Sequence, residues 1–325
     1  MIQYLKVIKR LHLYSKFQTI AWDNILSLWK EFYNQRSRHE LQALYINLVN
    51  NLDQESIDII DKHIDIMFNR LPFPTKDYMI RTSSFFTNKD LSNIKYETLS
   101  QLEKKKIRQQ FKLDSIHKLE ASVFKYKCGL SFLPKKYIKS KLYRSNIIDI
   151  GAFYGDSTLI FNKFSPNSIT AIEPNKANFH HLTKIIKSNK LEDTIQAINI
   201  AAGKEKAQLQ MYFKYNKSPN HGASIVIKPK RHKVEEVQVL PIDSLKINNV
   251  SLIKIDTEGY EEQTIDGLIE TITNNKPILL ISIYHHAEEF FTIKTKIENL
   301  NLGYKFKIRN LNHKDLIQDI ILICY

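Results

Sequence analysis

The spacing of apolar positions changes character near residue 146. Before that point, "WDNILSLWKEFYN" and "ESIDIIDKHIDIMFNRL" place apolar residues every three or four positions, which predicts amphipathic helices with Asp53 and Ser56 as caps. Pro72 and Pro74 break this pattern. "LSNIKYETLSQLEKKKIRQQF" and "SIHKLEASVFKYKCGL" carry weaker helical spacing, and Pro134 interrupts again. From Ile147 onward, short β-branched runs alternate with helical stretches. "NIIDI", "SITAIEP", "TIQAINIAA", "VSLIKIDTEG", "KPILLISIYHH", "YKFKIRNL" and "DIILICY" read as strands, and "NKANFHHLTKIIKSNK" and "AEEFFTIKTKIENLN" as helices. Runs without alternation, such as "NIIDI", suit strands buried on both faces of a parallel sheet. The alternation predicts an α/β, doubly wound, mostly parallel sheet. Between residues 206 and 240, "AQLQMYF" and "VEEVQVL" flank a Pro219-Asn220-His221-Gly222 turn signal, so a β excursion is expected there. Two domains follow: residues 1–144, mainly helical, and residues 145–325, the α/β unit.

The stretch "IIDIGAFYGDST" places two glycines, Gly151 and Gly155, just after a strand, with Asp156-Ser157-Thr158 signalling the start of a helix. Nucleotide ligands bind at such junctions, although an ordinary βα turn also uses glycine. A dinucleotide cradle needs GxGxxG, and here the middle position is Phe153. Asp149 lies two residues before Gly151, and Glu173 closes the next strand. This pattern suits S-adenosylmethionine, which offers an ammonium group and a ribose diol but no phosphate. A carboxylate near the turn can receive the amino group, and one a strand away can accept both ribose hydroxyls.

"DIGAFYGDST", "AIEPN", "IKIDTEGYE" followed by Gly267, "ISIYHHAEEFF" and the closing "YKFKIRNLN…ILICY" together resemble the FkbM family of S-adenosylmethionine-dependent methyltransferases. The resemblance covers roughly residues 145–325, and "NNLDQESIDIIDKHIDIMFNR" is similar to the helical lead-in of many members. It implies a Rossmann-like class I methyltransferase sheet with an antiparallel closing strand. It also implies cofactor contacts from Asp149, Gly151, Ala152, Phe153, Gly155, Asp156, Ser157, Glu173, Pro174, Asn199 and Asp256. Members generally methylate hydroxyls of sugars, polysaccharides or polyketide-type metabolites. The departure from the family is Phe153-Tyr154 in the turn, where members often carry Asn; these aromatics are expected to shape the cofactor or acceptor mouth.

Methyl transfer to a hydroxyl needs positioning and then removal of a proton from a very weak acid. Asp256, Glu258 and His285 are the candidates for that base, each at or just beyond the carboxyl end of a strand. Gly259 suggests a turn that re-aims Glu258, and a close Asp256 and Glu258 pair could hold a divalent metal or share a proton. An ordinary histidine near pKa 6.5 suits a base, and a hydrogen-bonded structural role for His285 stays open. His286 is expected to face the following helix, and Lys254 to be a strand residue in an ion pair.

The charge of +14 is uneven along the chain. Residues 1–146 hold 26 Lys and Arg against 14 Asp and Glu, and the remainder 22 against 20. Lys104 to Arg144 contains 13 basic and two acidic residues, a segment able to attract a phosphate-bearing or lipid-linked glycan acceptor or an anionic membrane surface. Nucleic acid is the less favoured partner, since "DTEG" differs from the proline-and-aromatic turn of amino-directed base methyltransferases. A non-catalytic glycan or membrane adaptor with the same fold is the other alternative. The N-terminal module is read as acceptor recognition or homodimerisation. The two cysteines, Cys128 and Cys324, form no CxxC or Cys/His cluster, so neither a disulfide framework nor a structural zinc site is indicated. A cytoplasmic protein, peripheral at a membrane at most, is expected from this cysteine usage and from the absence of a signal-peptide core or spanning segment.

Overall fold

The computed structural model describes residues 27–69, 99–113, 119–214, 223–228, 232–312 and 317–325. Pro72, Pro74 and the Pro219 to Gly222 turn lie outside them.

Two sheets organise the chain. The larger has the order β3-β2-β1-β7-β8-β10-β9, built from β1 (Asn146–Ile150), β2 (Ser168–Ile172), β3 (Ile195–Ile198), β7 (Val250–Ile255), β8 (Ile278–Ser282), β9 (Phe306–Asn310) and β10 (Ile320–Cys324). All the pairings are parallel except those of β10, which runs antiparallel to both β8 and β9. The smaller sheet pairs β5 (Ala207–Lys214) and β6 (His232–Leu240) antiparallel, with the two-residue β4 (Ala201–Ala202) beside β6. It is the expected β excursion. "TIQAINIAA" is two strands, not one, because the chain turns after Ile198 and sends Ala201 and Ala202 to the second sheet.

The strands of the large sheet are buried on both faces, so their apolar residues feed two cores. Ile148, Ile150, Ile253, Ile255 and Ile281 pack on one face with Phe290, Phe291 and Ile293. Ile147, Ile169, Leu252 and Leu280 pack on the other with Leu159, Phe161, Leu182 and Ile185. Each such side chain contributes about 1.5–3 kcal/mol by leaving water. Among the helices, α5 (Asp156–Asn162) and α6 (Lys176–Asn189) cover the second face, while α9 (Ala287–Glu298) covers the first; α7 (Glu261–Asp266) and α8 (Ile269–Asn275) connect β7 to β8.

The N-terminal helices α1 (Arg38–Val49) and α2 (Gln54–Asn69) complete the first core: Trp29, Phe32, Leu48, Ile60 and Met67 are buried in it, with Trp29 against Phe290 and Phe291. Asp53 does cap α2, accepting from the Ser56 amide at 2.9 Å, and it also anchors the helix to β9 through Arg309 at 2.6 Å and Lys307 at 2.9 Å. Those cations hold its carboxyl far below the usual range. Ser56 donates to Asp53 rather than capping on its own, and its hydroxyl receives the Ile308 amide.

The weakly periodic region before the sheet forms α3 (Gln101–Gln110), a single turn at Ala121–Phe124, a 3-10 segment at Lys127–Phe132 and α4 (Lys135–Leu142). The expected helix "SIHKLEASVFKYKCGL" does not run through, because Lys127, Cys128 and Gly129 all take left-handed backbone angles. Lys135, Lys136 and Lys139 are exposed on α4. Tyr137 packs on Tyr325, just past the carboxyl end of antiparallel β10, which places this helix at the amino ends of the parallel strands.

Candidate active site

The strand order reverses between β1 and β7, and ligands of open α/β sheets bind outside the carboxyl ends at such a switch point. Register makes those ends level: Ile150 pairs with Ile172 and with Ile255, and Ile255 with Ile281. The residues that follow them, Gly151, Glu173, Asp256 and, a little further on, His285, therefore emerge on one rim.

Gly151 is required there by close backbone approach. Its φ is +73°, and a Cβ would lie 1.8 Å from the Asp256 carbonyl oxygen. At Phe153 the turn again takes a left-handed angle, φ 51°, and Phe153 stacks on Tyr154 with centroids 4.1 Å apart. Tyr154 is buried and its ring contacts that of His181, whereas Phe153 stays partly exposed at the rim. Gly155, also left-handed, precedes α5 without a side-chain cap. The hydroxyls of Ser157 and Thr158 are committed elsewhere, donating to Asp149 Oδ2 at 2.7 and 2.6 Å.

Asp149 is fully buried, so its carboxylate works inside the turn. Its Oδ1 has no hydrogen-bond partner and lies 3.7 Å from Lys254 Nζ. Lys254, itself buried, donates to the Gly151 carbonyl at 2.9 Å and lies 3.7 Å from Asp256 Oδ2. Burial works against its charge, but Asp256 and Asp149 outweigh it and hold its pKa above the ordinary value. Glu173 closes over the turn: Oε2 accepts the Phe153 amide at 2.9 Å, and Oε1 the Asn175 amide at 3.0 Å. Asn199 donates to the carbonyls of Glu173 and Pro174, fixing that corner. Ala152 is buried in the second core.

The carboxylates gather around His285. Glu258 takes φ 56° and Gly259 φ 95°, the expected re-aiming turn, and Glu258 Oε2 comes 3.4 Å from His285 Nε2. Asp256 Oδ1 lies 3.9 Å from the same nitrogen. On the other ring edge, buried Glu261 Oε1 lies 3.0 Å from Nδ1 and accepts the Thr257 amide, while Oε2 accepts the Gly259 amide. Burial disfavours an imidazolium, yet Glu261 and Glu258 outweigh it and raise the His285 pKa well above the ordinary value. These two carboxylates favour the charged form of the ring over the unperturbed histidine expected of a base. Glu289, behind Glu261, is pushed up to about 10 by burial and by Glu261.

Residues 149–306 match the model of the methyltransferase FkbM domain. Over that span, 158 of the 325 residues, the chain is similar to FkbM-family methyltransferase domains. Among solved structures, it is similar to methyltransferase FkbM from Methylobacillus flagellatus KT, at 20% identity over 68% of this chain and 57% of that chain, with a TM-score of 0.45. It is also similar to a putative rRNA-methylase from Clostridium thermocellum, at 14% identity over 58% of this chain and 90% of that one, with a TM-score of 0.37. A search of curated proteins finds no match. Among the described residues, no helix is long and apolar enough to cross a membrane.

In this domain the structure brings Gly151, Phe153, Glu173, Asp256, Glu258 and His285 to one rim, with Asp149 buried beneath the turn. His286 does face the following helix, 3.5 Å from Glu289. Asp156 lies at the start of α5 and is not bonded to Asp149; burial and then Glu120 push it up to about 7. Sequence reasoning missed Glu261 and Glu289. Acidic residues in a first helical turn are ordinary on dipole grounds, so only the long-range meeting with His285 marks them.

Burial, opposed by the Asn175 and Phe153 amides, also pushes Glu173 up to about 7. A native carboxyl above its unfolded value retains a proton that the unfolded chain has lost, so its contribution to stability falls as pH rises from about 4.5 through about 7. Replacing Glu173 by Gln removes that dependence. The stability of Glu173→Gln relative to the parent chain should therefore improve between pH 5 and pH 8, by on the order of 2–3 kcal/mol. Guanidinium unfolding at the two pH values checks this, and a pH-independent difference would refute the assignment.

Proposed function

We propose that this methyltransferase is an O-methyltransferase acting on a hydroxyl of a sugar or cell-surface glycan precursor. The observation that carries the reading is the convergence of the Asp256 and Glu258 carboxylates at the switch point, beside the Gly151 turn.

The residues fit the cofactor. Gly151 keeps the turn free of side-chain volume, and Glu173 stands at the end of β2 to accept ribose hydroxyls, while buried Asp149 holds the turn from beneath through Ser157 and Thr158. S-adenosylmethionine supplies an electrophilic methyl group on a sulfonium. The chain must orient the acceptor and take its proton. His285 is buried, and the acceptor of that proton is Glu258 or Asp256, both about one-third exposed at 38% and 34%. Their position at the mouth lets them reach a hydroxyl.

Calorimetry with S-adenosylmethionine tests the cofactor half. Glu173→Gln removes a charge-assisted pair worth about 1.5–3 kcal/mol, so Kd should rise about 10- to 100-fold. Incubation with labelled cofactor and pools of nucleotide-sugars, glycans and RNA tests the acceptor half. Label in the sugar fractions supports the reading, and label confined to RNA bases overturns it.

A further inference from the structure

We propose that Asp256, Glu258 and His285 form a divalent-cation site, with Glu261 as the carboxylate that orients the histidine. Its acceptor would then be a hydroxyl with a second oxygen on the neighbouring carbon, as in a vicinal diol, so that both oxygens can bind the cation. That acceptor class rests on the methyl-transfer reading; the cation site does not.

The two edges of the imidazole have different surroundings. Nδ1 is 3.0 Å from Glu261, whose oxygens also receive the Thr257 and Gly259 amides, so Glu261 is anchored and its contact fixes the ring. Metal-ligating histidines show this arrangement, one nitrogen held by a carboxylate and the other aimed at the metal. Nε2 points to the rim, towards Glu258 Oε2 at 3.4 Å and Asp256 Oδ1 at 3.9 Å. His285 is 1% exposed, and neither of its ring nitrogens nor the buried Asp256 Oδ1 makes a hydrogen bond, so the Glu261 contact at Nδ1 is one of close approach. Donor atoms of Asp256, Glu261 and His285 all lie within 4.8 Å of one another. Bonds of about 2.1 Å set neighbouring ligand atoms roughly 3 Å apart, so Glu258 is nearly in place and Asp256 needs only a small movement.

Charge favours a cation. Asp256, Glu258 and Glu261 bring three carboxylates to this site, with Asp149 buried beneath it, against the single ammonium of Lys254. One imidazole with two carboxylates is a mixed nitrogen and oxygen set, which suits Mn2+ and admits Zn2+.

The test is Mn2+ titration of the full chain, without cofactor or acceptor, followed by electron paramagnetic resonance and by calorimetry in buffers of different ionisation enthalpy. Expected are one Mn2+ per chain, and affinity lowered at least 10-fold in Glu258→Gln and 10- to 100-fold in Glu261→Gln. Glu258 is at the surface, so its variant keeps the fold if Glu261→Gln does not; circular dichroism verifies this. Absence of saturable Mn2+ or Zn2+ binding by the folded chain overturns the site, as does binding that Glu258→Gln leaves unchanged. A chain that transfers methyl groups in excess EDTA but binds no cation refutes the site and leaves the methyl-transfer reading standing.

Discussion

Replacing Asp256 by Asn, or Glu258 by Gln, is expected to lower kcat for methyl transfer by about 100- to 10,000-fold, the usual contribution of a positioned proton acceptor. Both changes preserve shape and remove charge. Their effects should differ in kind. Glu258 is about one-third exposed and touches the rest of the site through His285 and its own backbone turn, so Glu258→Gln should leave S-adenosylmethionine affinity and folding stability close to the parent values. Asp256 also lies 3.7 Å from Lys254, so Asp256→Asn should cost some stability as well as kcat. Single-turnover rates at saturating cofactor, measured beside calorimetric Kd values, separate chemistry from binding. Full turnover in both variants would remove the proton-acceptor assignment. His285 belongs to a different class: it is 1% exposed, and His285→Asn should act by releasing Glu258 and Asp256 from their neighbour.

The rim was legible in the sequence to the extent that strand ends are. "NIIDIG", "ITAIEP" and "IKIDTEG" each carry a buried run followed by an acid or glycine, and parallel register then places Gly151, Glu173 and Asp256 level with one another. Roles were less legible than positions. Asp149 reads as a ligand-facing acid, yet in the fold it is sealed beneath the turn by two hydroxyls from α5 and by an ammonium from β7. No local spacing states that partnership, because Lys254 lies more than 100 residues away in a strand otherwise made of apolar residues and a serine. His285 presents the same problem. Its neighbours Glu261 and Glu258 approach from the segment after a different strand. The basic segment was legible as charge, but its placement was not. Only the packing of Tyr137 on Tyr325 puts the α4 lysines at the amino ends of the strands, away from the rim where Asp256 and Glu258 lie. An anionic acceptor held by those lysines would not lie over the candidate base.

Lys254→Met should destabilise the fold by about 3–5 kcal/mol, because breaking a buried ion pair strands the remaining charge. The partner left behind is Asp149, with no exposed surface and one oxygen satisfied only by the ammonium 3.7 Å away. Methionine fills much the same volume, so the loss is electrostatic rather than a cavity. It also removes the 2.9 Å bond that Lys254 donates to the Gly151 carbonyl, at the point where the β1 turn passes against the Asp256 backbone. Cofactor affinity should therefore fall together with stability. The decisive measurement is a double-mutant cycle by guanidinium unfolding. Asp149→Asn neutralises the stranded carboxylate and keeps an oxygen to accept from Ser157 or Thr158, so adding it to Lys254→Met should recover a large part of the loss. Additive losses would mean that the two side chains are not coupled, and that the turn is held by its backbone and hydroxyls alone. Recovery of stability without recovery of cofactor binding would separate the two duties of Lys254, neutralising Asp149 and holding the Gly151 carbonyl in place.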